Sequence, residues 1–271
     1  MAADFRREVW HFETREAGRV LNPLNYPIFI FFLTFFLMWF AAWLGGRISQ
    51  RIHGLEEEVR PDYGTVLAAT LTLLGLIIGF SFSMATSRYD LRKHYEEEEA
   101  NAIGTEYVRA DLLPEPDRTQ VRSLLRQYTD LRIQFYNART WDDRAQLIQT
   151  RGKVQDELWA AVSKPAMAQP TPVIALAVAG MNDVINSQGY TQAAWWNRIP
   201  VGAWCLMFGI ALFCNVMLGF GSRKIDGRVL MVLPLVVAVS FFLIADIDSP
   251  RGGVIRVHPQ NLESLAASLG E

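Results

Sequence analysis

The chain has 271 residues, 51% hydrophobic and 20% charged, with a net charge of −2. That balance argues against a nucleic-acid partner, which calls for a strongly basic face. Four scattered histidines and two cysteines offer no zinc spacing and no disulfide framework. With neither a glycine-rich phosphate loop nor a nucleophile elbow, no enzymatic activity, metal or cofactor is expected.

In chain order, residues 1–26 are charged and lack an apolar core, so they read as an inner N-terminal segment rather than a cleavable signal. Four long uncharged apolar runs follow: Pro27 to Gly45, Thr65 to Met84, Pro200 to Phe220 and Val229 to Ala245. Each approaches the roughly 20 residues a spanning helix needs. The expected fold is an all-α polytopic membrane protein with spans at 27–45, 65–84, 200–220 and 229–246. The outer connections are then 46–64 and 221–228, with an inner helical domain at 114–199 and an inner tail at 247–271. Both termini are placed inside, because that side carries 20 of the 26 basic residues. Close to the spans the margin narrows to about eight against six.

The second run has no stop signal after it. From Thr65 to Leu113 there is no proline, and the only glycines are Gly75, Gly79 and Gly104. One helix of about 48 residues would rise roughly 70 Å, of which a bilayer core holds about 30 Å. Its extension carries four consecutive glutamates, 96 to 99, which point about 100° apart on a helix. No single solvated face holds all four, so some must meet partners. Basic residues of neighbouring chains, or water on a shared axis, are the two options, and an acidic axis would favour cations. Gly104 costs about 1 kcal/mol relative to alanine in a helix and should have a packing reason.

Within the span, Gly75, Gly79 and Ser83 repeat every four residues, a ladder of small residues that admits a close neighbour. Leu76, Phe80 and Met84 run beside it. Around a symmetry axis such side chains form an apolar constriction that gates a pore by dewetting; periodicity alone leaves open that they face lipid or another helix. Below them, Arg88 and Arg92 either draw anions inward or are the solvated flank of the positive-inside rule.

Val121, Leu124, Leu125, Tyr128, Leu131 and Phe135, and later Leu147, Val154, Leu158 and Val162, fall at helical spacing. Helix starts are expected near Asp117 and Trp141, with Pro114, Pro116, Pro165, Pro170 and Pro172 as punctuation. Val173 to Met181 is apolar but too short to span. Trp195, Trp196 and Arg198 have the composition of an interfacial belt. Cys205 and Cys214 lie about 13 Å apart along a helix and read as small apolar fillers.

The fourth run ends in "ADIDSPRGG". Acids at a helix C-terminus oppose the macrodipole unless paired. Asp246 and Asp248 are therefore expected to bind Arg88, Arg92 or Arg251 as a clamp between the second and fourth spans; a proton or cation site is the alternative.

The runs "LLGLIIGFSFSMATSRYDLRK", "EEANAIGTEYVRADLLPEP" and "FFLIADIDSPRGGVIRV" resemble the bacterial bestrophin-like membrane family from about residue 65 to 257. The resemblance implies a bacterial inner-membrane protein related to bestrophins, which are pentameric chloride channels with four spans and a neck on the second. Its implied partners are the lipid bilayer, further copies of itself and inorganic anions, with Leu76, Phe80 and Met84 as neck candidates. Calcium control is not expected, since Asp246 and Asp248 alone do not supply that ion's six to eight oxygens. The functional expectation is an oligomeric anion channel. A non-conducting scaffold or sensor is the alternative, and an ion-driven stator relying on Asn215 is the weakest reading.

Overall fold

The computed structural model describes residues 23–52, 56–138, 140–222, 227 and 229–270, so most of the N-terminal segment lies outside the described residues. Among these residues, eight α-helices follow one another: α1 (Pro27–Arg51), α2 (Arg60–Arg109), α3 (Asp117–Asn137), α4 (Trp141–Ala168), α5 (Pro172–Trp196), α6 (Val201–Gly221), α7 (Val232–Asp248) and α8 (Gln260–Gly270). Among the described residues there is no strand. The fold is all-α.

Local chemistry accounts for the helix starts. Thr140 Oγ1 accepts the Asp143 amide at 3.2 Å, and Asp142 and Asp143 occupy the first turn of α4. Thr171 Oγ1 does the same for Ile174, with Pro172 at the first helical position of α5. Each side chain satisfies an amide that the first turn leaves without a partner. Pro165 departs from expectation. It lies inside α4, within four residues of the helix end, where it costs one backbone bond and only the last turn can be bent by it. The long helix is uninterrupted over 50 residues and passes into a short 3₁₀ turn, Ala110–Leu112.

Among the described residues, three helical stretches are long and apolar enough to cross a membrane: Pro27–Arg51, Arg60–Leu112 and Pro172–Gly221. The helix at the fourth expected span, α7, has 17 residues.

The chain divides into two compact units. The first comprises the described residues to Tyr89 together with Arg198–Arg256. Its interior holds Ile30, Met38, Leu74, Ala85, Trp204, Met207, Cys214 and Phe241, and Phe241 meets Phe208 edge to face at 4.8 Å. α1 and α6 cross at backbone contact. A methyl on Gly45 would run into the Val216 carbonyl, and one on Gly219 into the Ala42 carbonyl. Outward the unit presents Phe29, Phe32, Phe36, Phe40, Leu73, Phe213 and Val236, all exposed. Water does not tolerate an apolar surface of that extent.

The second unit comprises Asp90–Asn197 and the described residues from Val257. Ile103, Leu125, Tyr128, Leu158, Met181, Val184 and Leu262 form its core. Trp195 belongs here rather than to an interfacial belt. It is 7% exposed and packs on Phe135 at 5.7 Å and Tyr136 at 5.1 Å. An aromatic pair before an apolar run has the same composition whether it meets headgroups or a protein core, so the sequence did not discriminate.

Candidate pore stripe and charged junction

The first part of α2 is sparsely covered by its own chain. Of its apolar window 11% is buried, against 33% for α1. Leu74, Ser81 and Ala85 face inward. Leu76, Phe80 and Met84 do not; they are 54%, 63% and 41% exposed. Beside them, among the described residues, nothing lies within 4 Å of where a side chain on Gly75 or Gly79 would begin, and Ser83 is exposed. The small ladder and the bulky stripe are thus both left largely uncovered by the rest of this chain.

At the other end of the first unit, α7 delivers Asp248 into a buried junction. Its carboxylate is 2% exposed and lies 3.7 Å from Arg88 Nη1 and 3.6 Å from Arg198 Nε. It also accepts the Ile199 amide at 3.1 Å. Arg198 in turn donates to Asn25 Oδ1 at 2.6 Å and to the Leu24 carbonyl at 3.3 Å. The opposing helix dipole is thereby answered by two guanidinium groups.

Asp246 finds different partners. Its two oxygens accept the amides of Val254 and Ile255, each at 2.8 Å, so backbone donors replace the expected base. Gly253 leaves room for that carboxylate, and Gly252 for the Asn25 carbonyl. Arg251 is half-buried. Arg92 belongs to the second unit, where it is 1% exposed and donates to the Ala194 carbonyl at 3.4 Å. Sequence reasoning missed Arg198 as a junction residue, having read it with the tryptophans beside it. The signal was available: two acids at a helix end with few basic residues close enough to answer them.

Asp248→Asn removes the charge while keeping the shape, and leaves two guanidinium groups with less to bind. We expect the detergent-solubilised protein to lose about 2–3 kcal/mol, read as a lowered melting temperature. An unchanged melting temperature would mean that solvent already screens the junction.

The four glutamates divide between two environments. Glu97 and Glu98 are exposed, and Glu98 lies 3.3 Å from His94 Nε2. Glu96 and Glu99 are buried, and both are satisfied within the same chain rather than by a neighbour or an axis. Glu96 accepts the amides of Asn261 and Leu262 at 3.0 Å and Asn261 Nδ2 at 2.6 Å. Burial pushes its carboxyl above the ordinary range, although those three bonds pull the other way. Glu99 receives Arg132 through both oxygens, Nε at 2.5 Å and Nη2 at 3.0 Å, and Thr191 Oγ1 at 3.1 Å. Gly104 faces Leu265 of α8, whose Cδ1 would lie 3.1 Å from an added methyl. Among the described residues no group of three or more His, Cys, Asp or Glu is placed to hold a metal.

An all-α chain whose first unit is apolar on its outer surface is a membrane protein. Residues 32–262 match the Bestrophin-like domain model, so the chain belongs to the bestrophin-like family. Three solved structures share the fold, all described as a bacterial Bestrophin homolog from Klebsiella pneumoniae. A form with a Trp-to-Ala substitution is 13% identical at a TM-score of 0.62, over 88% of this chain and 93% of that one. A Leu-to-Thr form is 14% identical at 0.63, over 90% and 97%. The structure phased with zinc is 14% identical at 0.60, over 89% and 95%. No curated protein matches the chain.

Proposed function

We propose that the protein is a homo-oligomeric, anion-conducting channel in which the first part of α2 lines the pore. The observation that carries this reading is the uncovered state of that segment. Its small ladder suits close packing between copies in lipid, and the adjacent stripe of Leu76, Phe80 and Met84 then turns to the axis. An apolar ring there acts as a dewetting gate. Arg88 supplies positive charge near the inner mouth. Fold class and family membership support the assignment, while the choice of chloride and of five copies comes from likeness to bestrophins.

In this reading α1, the first part of α2, α6 and α7 are the four spans. The short α7 crosses with help from the 3₁₀ turn at Val229–Met231 before it. Both termini and residues 85–199 lie on the cytoplasmic side of a bacterial inner membrane. The lipid bilayer, further copies of the chain and inorganic anions are its partners.

The test is chloride efflux from liposomes holding the purified protein, wild type against Phe80→Ala. Removing a ring of phenyl groups lowers the dewetting barrier, so efflux through the variant is expected to rise severalfold. Silence from both proteins, with the folded oligomer confirmed by light scattering, would overturn conduction and favour a scaffold.

A further inference from the structure

The buried face of α2 within the second unit runs Arg92, Glu96, Glu99, Ile103 and Glu106, with steps of four and three. Four of these side chains carry charge-bearing groups, and three have partners. Arg92 binds the Ala194 carbonyl, Glu96 binds the start of α8, and Glu99 binds Arg132. Glu106 is the exception. It is 0% exposed, and neither carboxylate oxygen has a hydrogen-bond partner among the described residues.

Its surroundings are built to accept it at that spot. Opposite lies Gly180 of α5, where an added methyl would collide with Glu106 Oε2 and crowd Arg109 Nη1 at 2.6 Å. The charged groups acting on Glu106 are Arg109 of its own helix and Asp183 of α5. Arg109 is shared, lying 3.9 Å from Asp183 Oδ2. It is also 34% exposed, so water screens much of what it offers Glu106.

We propose that Glu106 is a proton-operated latch between α2 and α5: neutral, it lies buried against Gly180; ionised, it must reach water, and α5 loosens around Gly180. A carboxylate without hydrogen bonds in a protein interior is strongly disfavoured, whereas the neutral acid is tolerated. Consistently, burial raises this carboxyl to about 8, with Arg109 opposing and Asp183 adding to the rise. The sign follows. The packed form holds its proton more tightly than the open form, so packing weakens as pH rises from the ordinary 4.5 to about 8 and is constant above that.

Hydrogen exchange on the full-length protein in detergent tests this, comparing amide protection over residues 174–187 at pH 6 and pH 9 after correction for intrinsic exchange. Wild type is expected to lose roughly tenfold to a hundredfold in protection between the two, and Glu106→Gln to lose none of it. Wild-type protection unchanged across that range would overturn the latch. So would an equal loss in the variant, which would assign the effect to another group. Glu106→Met, which leaves no polar atom unpaired, gives the same reading should the glutamine variant fail to fold. Gly180→Ala, whose methyl occupies the carboxyl's place, is expected to show weak protection already at pH 6; full protection there would also count against the latch.

Discussion

Replacing Arg132 by methionine is expected to cost the folded protein about 3–5 kcal/mol, the usual penalty for removing one member of a buried ion pair. Arg132 and Glu99 have side chains 1% and 0% exposed. Their two-pronged contact satisfies charges that water cannot reach. Tyr128 and Thr191 add donors to Glu99, and Gln155 donates to Tyr128 at 3.3 Å. The Arg132 guanidinium also lies over the Phe135 ring at 5.0 Å. Burial works against the Arg132 charge, but the facing Glu99 carboxylate favours it, and the net shift of Arg132 is upward. With Arg132 gone, Glu99 becomes an uncompensated buried carboxylate. The melting temperature in detergent should fall by about 10 °C. Glu99→Leu combined with Arg132→Met removes both charges and should recover most of that loss. A double variant no better than the singles would show that the polar network, not charge balance, holds α2, α3 and α5 together.

Gly219→Ala is expected to destabilise the first unit by about 3 kcal/mol, more than a methyl group usually costs in a helix. The methyl would meet the Ala42 carbonyl and crowd the Gly46 amide at 3.0 Å. Both are backbone atoms, so no side chain can turn aside and the α1–α6 crossing must widen. Gly209→Ala on the same helix is the control, since among the described residues nothing lies within 4 Å of that position. Melting of both variants in one detergent separates close packing from the general effect of alanine in a helix. Equal melting temperatures for the two would refute the backbone contact.

Much of this architecture was written locally. The starts of α3 and α4 at Asp117 and Trp141, and the unbroken α2, follow from composition over a few residues. Four consecutive glutamates on a helix likewise cannot all be solvated on one face. What escaped was partner identity, because partners arrive from distant parts of the chain. Glu99 meets a residue 33 positions away and Glu96 one 165 away. Two residues were nevertheless findable. Arg132 falls in the same apolar stripe as Val121, Leu125, Tyr128 and Phe135, and Glu106 repeats the spacing of Glu99 and Ile103; a charge on an apolar face is the mark of a buried group. The pore stripe was visible as periodicity, but an exposed apolar residue has the same sequence whether lipid or a second copy covers it.

The contact between Glu96 and α8 bears on the order in which the second unit is assembled. Pro259 precedes α8 and has no side chain able to accept its first amides. At 11 residues the helix is also shorter than those that persist alone in water. Its missing cap is a carboxylate supplied from the middle of α2, placed where a helix N-terminus favours negative charge. Residues 260–270 therefore have little structure of their own to adopt. They fold only onto a unit already assembled, and in doing so they cover an acid that precedes them by 165 residues.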